Sequence, residues 1–313
     1  MPSVFDRTYF TDEAAAYAKL ESIVWPRGPH CPHCGEVERL GRMKGKATRV
    51  GLLKCYSCRK QFRVTVGTVF ESSHISLHVW LQATFLMMSS KKGVSSNQLH
   101  RTLGVTLKSA WFMSHRLREA LKPTNPSPLG GDGITVEGDE TYIGPKAKNR
   151  AYKPVGEKQS VMSLVERGGS VRSFHVANVT ANTLQPIIGK HVFRDSRFQS
   201  DESAIYTGIG WNFAYHGTVN HSAKEYVRGE DYTNTIEGYF SIVKRGIYGI
   251  YQRVSEAHLH RYLSEFDFRY SYRIARGYDD IERMDKALAG IVGRRLTYRT
   301  VGGSRPEATA IQG

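Results

Sequence analysis

Residues Ile134 to Ile143 read ITVEGDETYI, a run rich in β-branched side chains that carries three acids around a single Gly. The composition predicts a strand. Gln159–Val165 and Val171–Val179 have the same character and follow closely enough for the three to form an antiparallel meander. Thr180 to Lys190 (TANTLQPIIGK) reads as a helical crossover in spite of Pro186, and Arg197–Asp201 (RFQSD) as a fourth strand. A less regular segment then runs through Tyr226. Strands and helices alternating in this way predict an α/β domain over residues 134–292.

Two carboxylates of this domain sit at suggestive places. Asp139 lies inside the first strand, where an unpaired charge is costly to bury, and Asp201 ends the fourth. Further on, Asp231 to Lys244 (DYTNTIEGYFSIVK) reads as one helix, with Thr233 or Asn234 able to cap its first turn. Ile236, Phe240, Val243 and Ile247 form its apolar stripe. At about 100° per residue, Glu237 and Lys244 are almost eclipsed, and Asn234 is roughly a sixth of a turn to one side. The plain alternative is an amphipathic helix whose polar side is merely wet. Three carboxylates around one pocket would offer hard oxygen donors to two divalent cations such as Mg²⁺. Glu137 shares a strand face with Asp139 and is a lesser candidate. His216 and His221, between the second and third carboxylates, read as neutral or DNA-facing residues rather than ligands. His258–Tyr270 predicts another helix with a core stripe, and from Gly293 the chain loses periodicity, as a flexible tail over 293–313 would.

Upstream, Thr11–Trp25 reads as a helix with acids in its first turn and Pro26 past its end. Cys31, Cys34, Cys55 and Cys58 then give C-x2-C-x20-C-x2-C. Two thiolate pairs on turns, brought together by a hairpin, supply the tetrahedral shell of structural zinc, and a closed four-sulfur shell folds a module without catalysing. From Arg42 to Arg63 there are eight basic residues and no acid. Such a strip suits a phosphate backbone, and solvated surface charge explains it equally well. Phe62 to Phe70 (FRVTVGTVF) predicts a strand and Leu77–Met88 a helix. Ser95 to Leu121 predicts two helices joined by a turn at Gly104. That pattern fits a helix-turn-helix whose Lys108, His115, Arg116, Arg118 and Lys122 face DNA, although such pairs also occur as plain structural hairpins. Pro123 to Gly133 (PTNPSPLGGDG) reads as a linker. The expected domains are therefore 1–70 (helix and zinc ribbon), 71–122 (helical), 123–133 (linker), 134–292 and the tail.

The charge balance of 44 Lys+Arg against 29 Asp+Glu, a formal +15, favours a polyanionic partner such as nucleic acid. No apolar run approaches the ~18 residues of a membrane span, and no export signal stands out at the N-terminus. An intracellular protein is expected, whose four cysteines hold metal rather than form disulfides.

The order of zinc ribbon, helix pair, VEGDETYIG, QSDES and YTNTIEGYFSIVKRGI resembles the DDE-type insertion-sequence transposases, specifically the insertion-sequence 1595 family, from about Thr11 to Arg273. The resemblance implies an RNase H-like mixed sheet with flanking helices, preceded by a small zinc ribbon and a helix-turn-helix. It implies an acidic triad of Asp139, Asp201 and Glu237 holding two Mg²⁺ or Mn²⁺, with Lys244 and the adjoining Arg245 contacting DNA at the element's end. Arg116 and Arg118 are expected to contact DNA from the helix pair. Some members carry Asn at the third position, so Asn234 is an alternative or accessory ligand. The implied activity is binding of terminal inverted repeats, cleavage of the ends and joining of the 3′-hydroxyls to target DNA. Work on paired ends implies a homodimer or higher assembly, in the cytoplasm on the bacterial nucleoid.

Overall fold

The computed structural model describes residues 3–145, 156–219 and 227–297. Near the N-terminus, helix α1 (Glu13–Val24) is capped by Asp12, whose Oδ1 accepts from Ala15 N at 2.7 Å. A small antiparallel sheet follows, made of β1 (Leu40–Arg42), β2 (Leu53–Cys55) and β3 (Gln61–Phe62). The strand expected over Phe62–Phe70 stops at Phe62. Its apolar residues Val64, Val69 and Phe70 enter the core from a chain of turns, with Gly67 at φ 73°. Alternation reported burial there, not ladder pairing.

Helices α2 (Leu77–Ser89), α3 (Ser96–Leu103) and α4 (Leu107–Ala120) complete the N-terminal core. Ser95 and Thr106 cap α3 and α4, and Gly104 turns between them in the left-handed conformation, φ 65°. The helix pair is present, but three of the five side chains expected to face DNA turn inward, while Lys108 is exposed and Lys122 half-buried. Arg118 is 1% exposed, its Nε 2.6 Å from Glu265, with its guanidinium over the Tyr262 ring. His115 is also 1% exposed, and buried Arg116 donates to the carbonyls of Glu71 and Leu296. The DNA-facing roles expected of His115, Arg116 and Arg118 are thus corrected: Arg118 and His115 pack against Glu265 and His258 of the second half, and Arg116 ties Glu71 to Leu296.

The second half is one five-stranded mixed sheet, in the order β6-β5-β4-β7-β8. β4 (Thr135–Ile143), β5 (Gln159–Glu166) and β6 (Val171–Val176) form the expected antiparallel meander. β7 (Arg197–Asp201) pairs parallel to β4, and β8 (Tyr215–Val219) parallel to β7. β8 and the short α6 (Ala204–Gly210) fall in the stretch read as irregular. α5 (Ala181–His191) accommodates Pro186, and with α6 it covers one face of the sheet through Leu184, Ile188, Tyr206 and Ile209. α7 (Asn234–Gly246) and α8 (Glu256–Ser271) cover the other through Ile236, Tyr239, Val243, Leu259 and Leu263.

Three connections depart from the expected domain plan. The linker 123–133 is pinned, because Leu129 is buried and exchanges backbone hydrogen bonds with His191 and Phe193. The last helix, α9 (Asp280–Ala289), packs on α2 and α1 of the N-terminal half, burying Met284, Ala287 and Leu288 there. The start of the expected tail is also tied down: Gly293 N donates to Gly67 O at 2.8 Å, and Arg294 donates to the carbonyls of Glu119 and Lys122. His221 and residues 298–313 lie outside the described residues. Among the described residues, no helix is long and apolar enough to cross a membrane.

Candidate active site and zinc centre

The parallel pairing of β4 with β7 sets the first two carboxylates side by side. Thr135, Val136 and Glu137 pair with Arg197, Phe198 and Gln199. The same register carried two residues further puts Asp139 opposite Asp201, on the sheet face covered by α7. Close approach of the strands requires Gly138, where a Cβ would stand 2.7 Å from the Phe198 ring. Asp201 Oδ1 accepts from Ser203 N at 3.1 Å, which sets its carboxylate at the end of β7.

α7 brings the third carboxylate. Asp139, Glu140 and Thr141 from β4 and Glu237, Phe240, Ser241, Lys244 and Arg245 from α7 line one open cleft of about 390 Å³. Glu237 and Lys244, seven residues apart, share it as their helical spacing requires. Asn234 is exposed on the first turn and is not among the residues lining the cleft.

The element expected to cap α7 is not the one that does so. Thr233 occupies the N-cap position, but its side chain makes no cap bond. Glu137, fully buried on β4, instead accepts from Ile236 N at 2.9 Å through Oε2. Its Oε1 takes Arg167 Nε at 2.7 Å. Arg167 in turn donates to the carbonyls of Glu230 and Tyr232 and lies over the Tyr232 ring. A strand carboxylate at a helix N-terminus also complements the helix dipole. Glu137 is thereby spent on structure, which corrects its candidacy as a ligand. It fixes α7, and so Glu237, relative to Asp139.

The site is electrostatically loaded. Burial, then the neighbouring Glu140, Asp201 and Glu237 charges, push the Asp139 carboxyl up to about 8. Glu140, which the sequence reading passed over, points to the opposite sheet face. There it accepts from Tyr206 Oη at 2.6 Å, and burial raises its pKa. Its adjacency to Asp139 was the only signal available in the chain. A carboxylate cluster that retains a proton at neutral pH has the donor chemistry of a divalent-cation site, where a cation replaces the proton. His216 has its Nε2 2.9 Å from Ser200 Oγ and stacks on Phe198, the behaviour of a packed residue.

At the other end of the chain the four thiols converge. Their Sγ atoms all lie within 4.8 Å of one another, with Cys31–Cys58 and Cys34–Cys55 each 3.7 Å apart. Zinc–sulfur bonds of about 2.3 Å at tetrahedral angles require edges of about 3.8 Å. The residues fit structural zinc. Among the described residues, no other group of three or more metal-binding side chains closes this tightly; Asp139 and Glu237 line the cleft, and Asp201 stands beside it at the end of β7.

Two segments of the chain match known families. Residues 11–61 match the transposase zinc-ribbon domain, and residues 128–271 match the ISXO2-like transposase domain. A protein of Halobacterium salinarum, described as "Uncharacterized protein in transposable element ISH50", is 26% identical over 277 residues, 83% of this chain and 91% of its own length. The crystal structure of a pre-cleavage Mos1 transpososome aligns at 15% identity over 67% of this chain and 77% of that chain. Its TM-score of 0.24 is too low to carry a structural argument. The chain thus carries, in this order, the zinc-ribbon and transposase domains that the insertion-sequence 1595 family models describe.

Proposed function

We propose that the protein is a DDE transposase that binds the terminal inverted repeats of an insertion sequence, cleaves the DNA ends and joins the 3′-hydroxyls to target DNA. One observation carries the reading: Asp139 and Asp201 each lie two residues past the paired Glu137 and Gln199 of β4 and β7, and α7 brings Glu237 and Lys244 into the cleft at Asp139. Three antiparallel strands followed by two parallel ones, with helices on both faces, support an RNase H-like catalytic domain.

Asp139, Asp201 and Glu237 would hold two Mg²⁺ or Mn²⁺ ions, with Asn234, at the helix start, as an accessory group. When bound, such ions acidify the attacking hydroxyl and stabilise charge on the phosphate. The remaining work falls to the chain's own residues. Asp139 gives up its proton to become a ligand, and the Glu137–Arg167 pair keeps α7 at a fixed spacing from β4. Lys244 and Arg245 hold phosphates of the DNA end against the cleft. Both reactions are in-line displacements at phosphorus, first by water and then by the freed 3′-hydroxyl, so one site serves both. Exposed Lys44, Lys46, Arg49, Arg59 and Lys60 of the zinc ribbon offer a second phosphate track. Cutting paired ends calls for two copies on the DNA, and the place of action is the bacterial cytoplasm at the nucleoid.

The test uses purified zinc-loaded protein and duplexes carrying the element's own ends in Mg²⁺ or Mn²⁺. Wild type nicks and joins, while Asp139→Asn and Asp201→Asn lose both products yet still retard the DNA in gels. Joined products from either variant would overturn the assignment.

A further inference from the structure

A second cavity, of about 580 Å³, lies apart from the carboxylate cleft. It is lined by Trp111 and His115 of α4, His258 and Arg261 of α8, and Arg295 beyond α9, among others. Three rings make a continuous aromatic wall: the His115 centroid is 4.3 Å from that of Trp111 and 5.0 Å from that of His258. Trp111 is 38% exposed, so part of its ring remains open to a ligand.

The polar atoms of this wall are unusual. His115 is 1% exposed, yet neither ring nitrogen has a hydrogen-bond partner, and buried His258 Nδ1 lacks one as well. Unpaired polar atoms are costly to bury, which argues for a ligand or solvent that satisfies them. Burial, followed by the Arg118, His258 and Arg261 charges, holds His115 down to about 3, so at neutral pH it is an uncharged imidazole with one donor and one acceptor. Arg261 pairs with Glu119 at 3.4 Å, and Arg295 adds a second guanidinium to the lining, so the rim carries a net positive charge.

These features select a planar, hydrogen-bonding, anionic ligand. Two imidazoles without a third ligand do not make a metal shell, since no such cluster exists here among the described residues. An aliphatic group would leave the nitrogens unsatisfied, and a paired helix is too wide for the cavity. We propose that it takes one nucleotide of bound DNA swung out of the helix, the base stacked on Trp111, its edge bonded to His115 and His258, and its phosphate held by Arg261 and Arg295. Extrahelical bases are held by stacking and edge hydrogen bonds of this kind. The proposal rests on the DNA-substrate reading above and adds a base-recognising pocket to it.

The test compares a labelled duplex bearing one bulged deoxyadenosine with the same duplex abasic at the bulge, by fluorescence anisotropy on the full zinc-loaded chain. Stacking and edge bonds should favour the base at least about tenfold. That ratio should fall to about one in Trp111→Ala and be kept in Trp111→Phe. A wild-type ratio near one, or a ratio unmoved in Trp111→Ala, overturns the pocket. A mutation-free arm places 5-iododeoxyuridine at the bulge: irradiated wild type should crosslink at the peptide holding Trp111 or the one holding His258, and crosslinks confined elsewhere overturn the pocket. Failure of any duplex to bind would instead sink the DNA-substrate reading itself.

Discussion

Asp139→Asn should make the protein without added divalent cation more stable at neutral pH and flatten its pH dependence. In the folded chain the Asp139 carboxyl is pushed up to about 8, against an ordinary value of 3.8. Between those limits the native state holds a proton that the unfolded state has released. Unfolding free energy therefore falls as pH rises through this window and levels off above about pH 8. One pKa unit is worth about 1.4 kcal/mol, so the ceiling on the loss between pH 5 and pH 8 is roughly 4 kcal/mol. Solvent reaching the open cleft brings the measured figure below that ceiling. The assay is urea unfolding of zinc-loaded protein at pH 5, 6, 7 and 8 without chelator, so that the ribbon stays intact. Wild type should lose stability across the series, and Asp139→Asn should lose far less. Added Mg²⁺ or Mn²⁺ should remove the wild-type slope by replacing the proton, with apparent cation affinity falling about tenfold per unit below pH 8. Equal slopes for the two proteins, with and without cation, would refute the placement of Asp139 in a crowded acidic cleft.

Glu237→Gln should lower cleavage by about a thousandfold or more and weaken Mn²⁺ binding, whereas Asn234→Ala should change either by less than about tenfold; the reverse order would move the third ligand to Asn234. Cys34→Ser should abolish zinc uptake, measured by metal content, and expose the first sixty residues to trypsin, because four thiols spaced as these are fold around the ion. Breaking the buried Arg118–Glu265 pair by Arg118→Met alone should cost about 3–5 kcal/mol in thermal or urea unfolding, and pairing it with Glu265→Leu should recover part of that loss. No recovery in the double variant would mean that Arg269 and Tyr251, which also bind Glu265, carry the network without Arg118.

Much of the architecture was legible because strands and helices announce themselves by local periodicity. The fourth strand spans Arg197–Asp201 as read, the meander of β4, β5 and β6 is present, and the helix carrying Glu237 begins three residues later than expected. The zinc centre was legible for a related reason: ligand spacing in a short hairpin is itself local. Where a residue's role depends on what lies across from it, local reading failed. Arg116 and Arg118 look like a basic helix face, but Glu265 and Tyr262 of α8, with Tyr251 just before it, draw Arg118 inward. Glu137 resembles a spare ligand until Arg167 and the start of α7 are seen to occupy both its oxygens.

The carboxylate cleft divides along the same line. Sequence alone determined which residues carry charge, that Asp139 and Asp201 sit on strands, and that Glu237 and Lys244 share a helix face. Only the tertiary structure decided that β7 enters beside β4 in parallel and in register, that Glu137 anchors α7 over that pair, and that α9 returns to the N-terminal core. The physical reason is that periodicity reports on neighbours within a turn or a pleat, whereas pairing and burial are settled by contacts between segments sixty or more residues apart, whose partners no local pattern names.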